Sequence, residues 1–306
     1  MKKIFRIYIK AFINFFLRKT GYIVLYRLGF SIGDQVCLSA LVRKVFETSD
    51  HKIIVLSSFP EIFESNPKVS KNIVIKKNIS FFNKLLRGIQ GDRVLCFNFN
   101  KKISPENFQK KLLNPMHLAE LHSHHWSLNI KSQDIKNEIC FSSDEEKKLE
   151  EKYSFLPKEF CLIQPNSKLS YNKNKQWKIA NFQKVVDGTR NLFWVQVGSK
   201  GETVLQNVIN ITGQTSLREL FFLVKKAHLT LSGEGLINHI AGAFDVSSYV
   251  VLSGSQHENL AKYSNSIFIK SNKCKFSTCW ELDDCKVGEK PCLSSIKPDE
   301  VINILQ

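Results

Sequence analysis

Acidic residues are scarce in this chain, and its amino-terminal stretch has none. No Asp or Glu precedes Asp34, while seven Lys or Arg residues do. Over the whole chain 28 Asp and Glu face 44 Lys and Arg, a net charge of +16. Such an excess asks for an anionic partner: nucleic acid, a phosphorylated glycolipid or membrane headgroups. A long apolar run is also missing. Arg6, Lys10, Arg18 and Lys19 interrupt the aromatic stretch "MKKIFRIYIKAFINFFLRKTGYIVLY", which therefore falls short of the ~20 residues that span a bilayer. No cleavable signal peptide is evident in it. It reads as a basic helix that either lies in a membrane interface or packs Ile4, Ile7, Phe12, Phe15 and Phe16 onto the protein. There are no low-complexity segments, no internal repeats, and no Gly-x-Gly-x-x-Gly dinucleotide fingerprint.

What is present is the composition of a globular protein, 43% hydrophobic and 24% charged over 306 residues. That length exceeds what one core usually organises, so two domains are expected, 1–150 and 151–306. Short β-branched runs alternate with helical stretches. Strands are expected at 22–26, 51–58, 72–77 and 92–99, with a helix over 34–46. A capped acidic helix at 142–160 runs into a linker ending at Pro157, and the pattern restarts. Strands follow at 160–164, 193–199, 208–213, 229–235 and 247–254, with helices at 215–227 and 236–244. Uninterrupted apolar strands suit parallel sheets covered on both faces. Two such series imply an α/β chain of two doubly wound, Rossmann-like domains facing each other.

In doubly wound folds the turns at the carboxyl edge of the sheet line the ligand crevice. Three turns here carry unusual chemistry. The first is Gly29-Phe30-Ser31-Ile32-Gly33-Asp34, where Asp34 stands at a helix start. It reads either as an ordinary N-cap or as a reactive acid favoured by the helix dipole. The second, "QPNSKLSYNKNKQW", offers Lys168, Lys173 and Lys175, with Ser167 or Ser170 as donors, for gripping phosphate. A solvated polar loop is the bland account. In the third, "LSGEGLINHIAGAF", Gly233 and Gly235 flank Glu234 and a helix begins at once. Free amides at such a helix start bind phosphate, and His239 lies near the first turn.

Several ordered segments extend this reading: "GFSIGDQVCLSALVRKV", "KQWKIANFQKV", "ITGQTSLRELFFLVKKAHLTLSGEGLINHIAGAF" and "CLSSIKPDEVINIL". Together they resemble the ADP-heptose:lipopolysaccharide heptosyltransferase family, glycosyltransferase family 9, over residues 22–300. The resemblance implies a GT-B architecture, with two Rossmann-like domains across a cleft, and inverting sugar transfer from a nucleotide sugar. The amino-terminal domain would serve the acceptor and the carboxyl-terminal domain the donor. Asp34 matches the family's general base, and Lys175 its phosphate-contacting lysine. His239 matches the histidine of its donor-phosphate helix, and Thr215 and Ser216 the "T-S-L" segment beside the donor. Glu234 stands where the family usually has Asp, and Leu236 where it usually has Gly. Fixed charge from Lys175, the helix amides and His239 would stabilise the leaving diphosphate, so no cofactor or divalent metal is expected at the reaction centre.

Cys274, Cys279, Cys285 and Cys292 lie close together in sequence without a Cys-x2-Cys knuckle. A structural zinc or iron site, reduced thiols and disulfides all remain open. Some autotransporter-modifying heptosyltransferases are similar in carrying a four-cysteine iron site. His117, His122, His124 and His125 fit a helix closing the first domain. The expected partners are a nucleotide-sugar donor, ADP-linked as the resemblance implies, and a phosphorylated glycolipid or glycan acceptor of the lipopolysaccharide core. The expected place is cytoplasmic, peripheral on the anionic inner membrane face. A protein heptosyltransferase is the alternative. From other classes stand a basic nucleic-acid-binding protein, for which no recognisable module is found, and an inactive nucleotide-sugar-binding scaffold.

Overall fold

The computed structural model describes residues 2–29, 31–96, 115–125, 128, 130–168 and 172–306. The chain forms two compact units, Met1–Ser142 and Ser143–Gln306. The far end of the strand expected at 92–99 and Ser170 lie outside the described residues, as do the side chains of Ile4, His124 and His125.

Unit 1 begins with a helix, α1 (Lys2–Thr20), followed by β1 (Tyr22–Arg27), α2 (Ile32–Thr48) and β2 (Lys52–Ser57). Next come β3 (Val69–Val74), α3 (Ile79–Ile89), β4 (Val94–Cys96) and α4 (Leu118–His125). The four strands pair in parallel in the order β3-β2-β1-β4. Alternation along β1 sends Val24 and Tyr26 to one face of the sheet, where they join Ile13 and Leu17 of α1 and Phe82 and Leu86 of α3. Its other face is left to α2, whose Val36, Leu38, Leu41 and Val45 are buried. β3 starts three residues earlier than the apolar run at 72–77 suggests. It is an edge strand with exposed positions, so solvent contact rather than an apolar pattern marks its extent. The histidine-rich segment forms α4, which packs on α2. His117 and His122 are buried, and His117 Nδ1 accepts a hydrogen bond from Ala119 N at 3.0 Å.

Unit 2 opens with α5 (Ser143–Lys152), then β5 (Cys161–Gln164), α6 (Ile179–Gly188), β6 (Trp194–Gln196) and β7 (Ile209–Asn210). It continues with α7 (Leu217–Lys226), β8 (Leu229–Gly233), α8 (Leu236–Phe244), β9 (Ser247–Val251), β10 (Ser266–Ile269), α9 (Pro291–Ser294) and α10 (Pro298–Leu305). Six parallel strands run in the order β10-β9-β8-β5-β6-β7. The chain enters at the middle, builds outward through β6 and β7, then returns beside β5 and builds the other way. That reversal makes a switch point between β5 and β8, where loops diverge and leave a crevice at the carboxyl edge. The acids of α5 are held by the bases of α7. Arg218 grips Glu145 with two bonds of 2.7 and 2.6 Å, and Lys225 meets Glu146 at 2.6 Å. Trp177, Phe182 and Trp194 fill the core between the sheet and α6.

Candidate active site

The loop after β1 carries the first set of functional residues. Ser31, not Asp34, is the N-cap of α2: its hydroxyl accepts from Asp34 N at 3.4 Å. Asp34 therefore sits inside the first turn with its carboxylate turned to another task. Arg27, the last residue of β1, holds that carboxylate in an ion pair through its guanidinium. Buried Gln35 fixes the loop. Its amide nitrogen donates to Gly29 O at 3.2 Å, and its oxygen accepts from Ser57 Oγ at 2.7 Å and Ser58 N at 3.2 Å. The turns after β1 and β2 are thereby tied together behind Asp34. Gly29 has a φ of +148°, which favours glycine.

The second set lies in unit 2 at the switch point. The loop after β5 and the turn after β8 meet there, because β5 and β8 are neighbours. Lys175 from the first and Glu234 from the second form an ion pair, with side chains only 14% and 11% exposed. Ser167 lies alongside: a Cβ added to Gly233 would meet Ser167 Oγ at 3.1 Å and the Lys175 carbonyl at 3.7 Å. Gln176 orders the loop by accepting from Ser167 N at 2.8 Å and donating to Pro165 O at 2.8 Å. Gly235 is the N-cap of α8 and has no side-chain cap. The first amides of that helix are thus presented at the end of the crevice strand, where a helix start favours an anion. His239 follows one turn along, buried, its Nδ1 paired with the Tyr263 hydroxyl at 2.7 Å.

Three polar atoms around this cluster are buried without a hydrogen-bond partner among the described residues: Asn174 Oδ1, Trp177 Nε1 and Ser232 Oγ. Each adjoins a site residue in sequence. Thr215 and Ser216 lie at the start of α7, where Ser216 forms a capping box with Glu219. That is a structural task for the Ser216 hydroxyl. Lys168 and Lys173 are exposed, the latter 3.9 Å from both Asp283 and Asp284.

The four-cysteine segment lies against the lysine loop. Lys173 N donates to Leu282 O at 2.8 Å and Asn174 Nδ2 to Glu281 O at 2.9 Å. On its other side, Cys279 N donates to Gly254 O at 3.0 Å and Trp280 N to Ser255 O at 2.9 Å. The segment thus braces the loop on which Lys175 sits. Its four thiols are free, and among the described residues no group of three or more His, Cys, Asp or Glu is arranged to hold a metal ion. Cys274, Cys285 and Cys279 are nonetheless near enough to act electrostatically on Cys292, whose thiol is pushed up chiefly by burial.

Arg27, Gln35, Gln176 and Tyr263 escape a motif reading. Arg27 could have been found from its place at the carboxyl end of a crevice strand. Nothing local marks Tyr263, whose contact with His239 is made only by folding.

A profile of glycosyltransferase family 9 (heptosyltransferase) matches residues 83–284. Comparison with curated proteins found no significant match. Among solved structures, the chain is similar to the glycosyl transferase family 9 protein from Veillonella parvula DSM 2008. The two are 15% identical with a TM-score of 0.68, over 92% of this chain and 95% of that one. It is similar to the E. coli ADP-heptose lps heptosyltransferase II, at 14% identity and a TM-score of 0.62, over 92% of this chain and 97% of that one. It is also similar to the iron-containing dodecameric glycosyltransferase TibC from enterotoxigenic E. coli H10407. There the identity is 12% and the TM-score 0.67, over 93% of this chain and 75% of that one. With that family match over more than half of its length and two parallel α/β sheets of the GT-B type, the chain belongs to glycosyltransferase family 9 and is a transferase enzyme.

Proposed function

We propose that this enzyme moves a heptose-like sugar from an ADP-linked donor to a lipopolysaccharide-core or related glycan acceptor, with inversion at the anomeric carbon. The Lys175–Glu234 pair at the switch point of unit 2 carries this reading. It puts a largely buried ammonium beside the uncapped start of α8, which is the charge pattern a diphosphate needs.

Unit 2 then holds the donor. Lys175 and the first amides of α8 take the diphosphate, and His239, oriented by Tyr263, adds a further donor. Ser167 lines the same loop. Thr215 and Ser216 flank the nucleotide at the start of α7. In the transfer step the acceptor hydroxyl oxygen forms a bond to the anomeric carbon while the bond from that carbon to the diphosphate breaks. The electron pair leaves with the nucleoside diphosphate, and Asp34 takes the hydroxyl proton. The sugar passes through an oxocarbenium-like state, as in other glycosyl chemistry. Arg27 keeps the Asp34 carboxylate in place for that proton. Charge fixed in the protein stabilises the departing diphosphate, so the reaction centre works without a divalent metal.

The acceptor belongs to a glycolipid, and the enzyme works at the cytoplasmic face of the membrane that carries it. Transfer onto a protein acceptor is the alternative, separated from this one by offering each acceptor with radiolabelled donor. The thiols around Cys292 stand outside the reaction. A zinc or iron there would be structural, and elemental analysis of the purified chain decides between bound metal and a reduced thiol cluster. The donor is tested by a thermal-shift screen of nucleotide sugars. Greatest stabilisation by ADP-sugars is expected, and stabilisation by none of them would overturn the assignment.

A further inference from the structure

Helix α1 is apolar on two sides centred roughly a third of a turn apart, and only one of them is used by the fold. The inward stripe, Ile9, Ile13 and Leu17, recurs every four residues; Leu17 is buried and Ile13 half-buried against the core of unit 1, and Ile9 is half-buried. Asn14 fastens this side to the body of unit 1. Its amide nitrogen donates to Ile89 O at 3.1 Å, and its oxygen accepts from Arg93 N at 3.2 Å. Arg18 pairs with Asp92 at 2.8 Å. The helix is therefore fixed in orientation, not merely attached by its end.

The outward side carries Tyr8, Phe12, Phe15 and Phe16, each more than half exposed. Positions 8, 12 and 15 follow one another at helical spacing, so they form a stripe and not a scatter. Helix α3 packs against α1 on the same face of the sheet and presents Phe81 and Leu85, again one turn apart and exposed. Isolated exposed apolar residues need no explanation, but six aromatic and aliphatic side chains on two adjacent helices do.

The charge of these two helices selects the occupant. Every charged residue of α1 and α3 is Lys or Arg: Lys2, Lys3, Arg6, Lys10, Arg18 and Lys19 on the first, Lys84 and Arg87 on the second. A second copy of the chain would bring like charges together. A bilayer with anionic headgroups meets both requirements, accepting aromatic rings below the headgroups and Lys and Arg among them. Spanning is excluded for α1, since no helix among the described residues is long and apolar enough to cross a membrane.

We infer that the outward faces of α1 and α3 form a preformed docking surface for an anionic lipid bilayer, with α1 lying in the plane of the interface. This deepens the membrane-face reading above and rests on it only for which membrane is met. It draws on none of the residues assigned to donor or acceptor.

The test uses the full chain and sedimentation with vesicles. Wild-type protein should pellet with phosphatidylglycerol–phosphatidylethanolamine vesicles and stay in solution with phosphatidylcholine vesicles. Phe12→Ser with Phe15→Ser should weaken the anionic partition by about a hundredfold, and Phe81→Ser by about tenfold. Lys19→Ser with Lys84→Ser should weaken it at low salt and much less at about 0.5 M salt. These side chains are exposed, so thermal melting and the ADP-induced melting shift should match wild type. Wild-type protein that ignores anionic vesicles, or serine variants that bind them as well as wild type, would overturn the inference. So would self-association through α1 without vesicle binding. Vesicle binding without any response to ADP would instead count against the glycosyl-transfer reading and leave the docking surface standing.

Discussion

Lys175 and Glu234 close the same crevice from two loops 59 residues apart in sequence, and each is the other's ion-pair partner. The ammonium assigned to the donor diphosphate is therefore already balanced by a carboxylate that itself repels an anion. Replacing Glu234 by Gln should destabilise the unliganded protein by about 1–3 kcal/mol, since the Lys175 ammonium loses a largely buried carboxylate. The same change should tighten ADP, since the repelling carboxylate is gone, by about three- to tenfold. Lys175→Met should do the reverse and weaken ADP by about tenfold or more. Calorimetric titration with ADP, beside melting curves without it, reads both effects.

Asp34 and Arg27 make the corresponding pair in unit 1. Asn at position 34 keeps the shape but cannot take the proton, so Asp34→Asn should lower turnover by about 10²–10⁴ with donor affinity unchanged. Arg27→Gln leaves the base present but loosely held, and should lower turnover by about ten- to a hundredfold. Steady-state kinetics separates the two roles: a rise in donor KM with unchanged kcat in Arg27→Gln would make Arg27 a ligand contact and not a positioning residue.

Much of this arrangement can be read from the residues alone, and the parts that cannot share a cause. Helix α8 runs from 236 to 244 as the glycine-bracketed turn suggests, because Gly235 and the break at Asp245 are local signals. β1 and β5 sit where their β-branched runs place them. Ser31 shows a local signal misweighed: a serine three residues before Asp34 is a ready N-cap, which leaves the acid available for Arg27. β3 shifts because an edge strand need not be apolar. β10 is an edge strand with only Ile269 buried, so no apolar pattern marks it either. The contacts of Tyr263 with His239, and of the cysteine segment with the Lys175 loop, depend on distant segments meeting in the fold. No window of sequence contains them.

The Tyr263–His239 contact is itself held by a close approach. A Cβ on Gly242 would stand 2.6 Å from the Tyr263 ring, so the tyrosine lies flat against the glycine of α8. Gly242→Ala should push the ring away, cost about 1–3 kcal/mol of stability and weaken ADP together with it. Tyr263→Phe keeps the ring and removes only the hydroxyl that meets His239. It should cost about 1 kcal/mol and lower ADP affinity several-fold. Melting curves and ADP titration of the two variants check this, and full ADP affinity in Tyr263→Phe would remove the tyrosine from the donor site.

Unit 2 should be acid-sensitive for a reason visible in its ion pairs. The hydrogen bond from Lys225 holds the Glu146 carboxyl below its ordinary value of 4.5. Burial alone would push Glu219 and Glu258 up, but Lys152 on the first and Lys270 on the second outweigh it, and both carboxyls end below 4.5. Burial also lowers His257 from 6.5. All four groups bind a proton less readily folded than unfolded. Their stabilisation is complete above the unfolded values, and is lost as pH falls through the folded ones. His257 begins to act below pH 6.5 and the carboxylates below pH 4.5. At about 0.5 kcal/mol for each partly exposed carboxylate pair, the three should lower the melting temperature by about 3–6 °C on acidification. Lys225→Met removes one of these contributions. It should lower the melting point at neutral pH by about 1–2 °C and make the acid slope shallower. Melting curves at a series of pH values compare the two proteins, and an unchanged slope in the variant would show that the Lys225–Glu146 pair contributes nothing to the acid response.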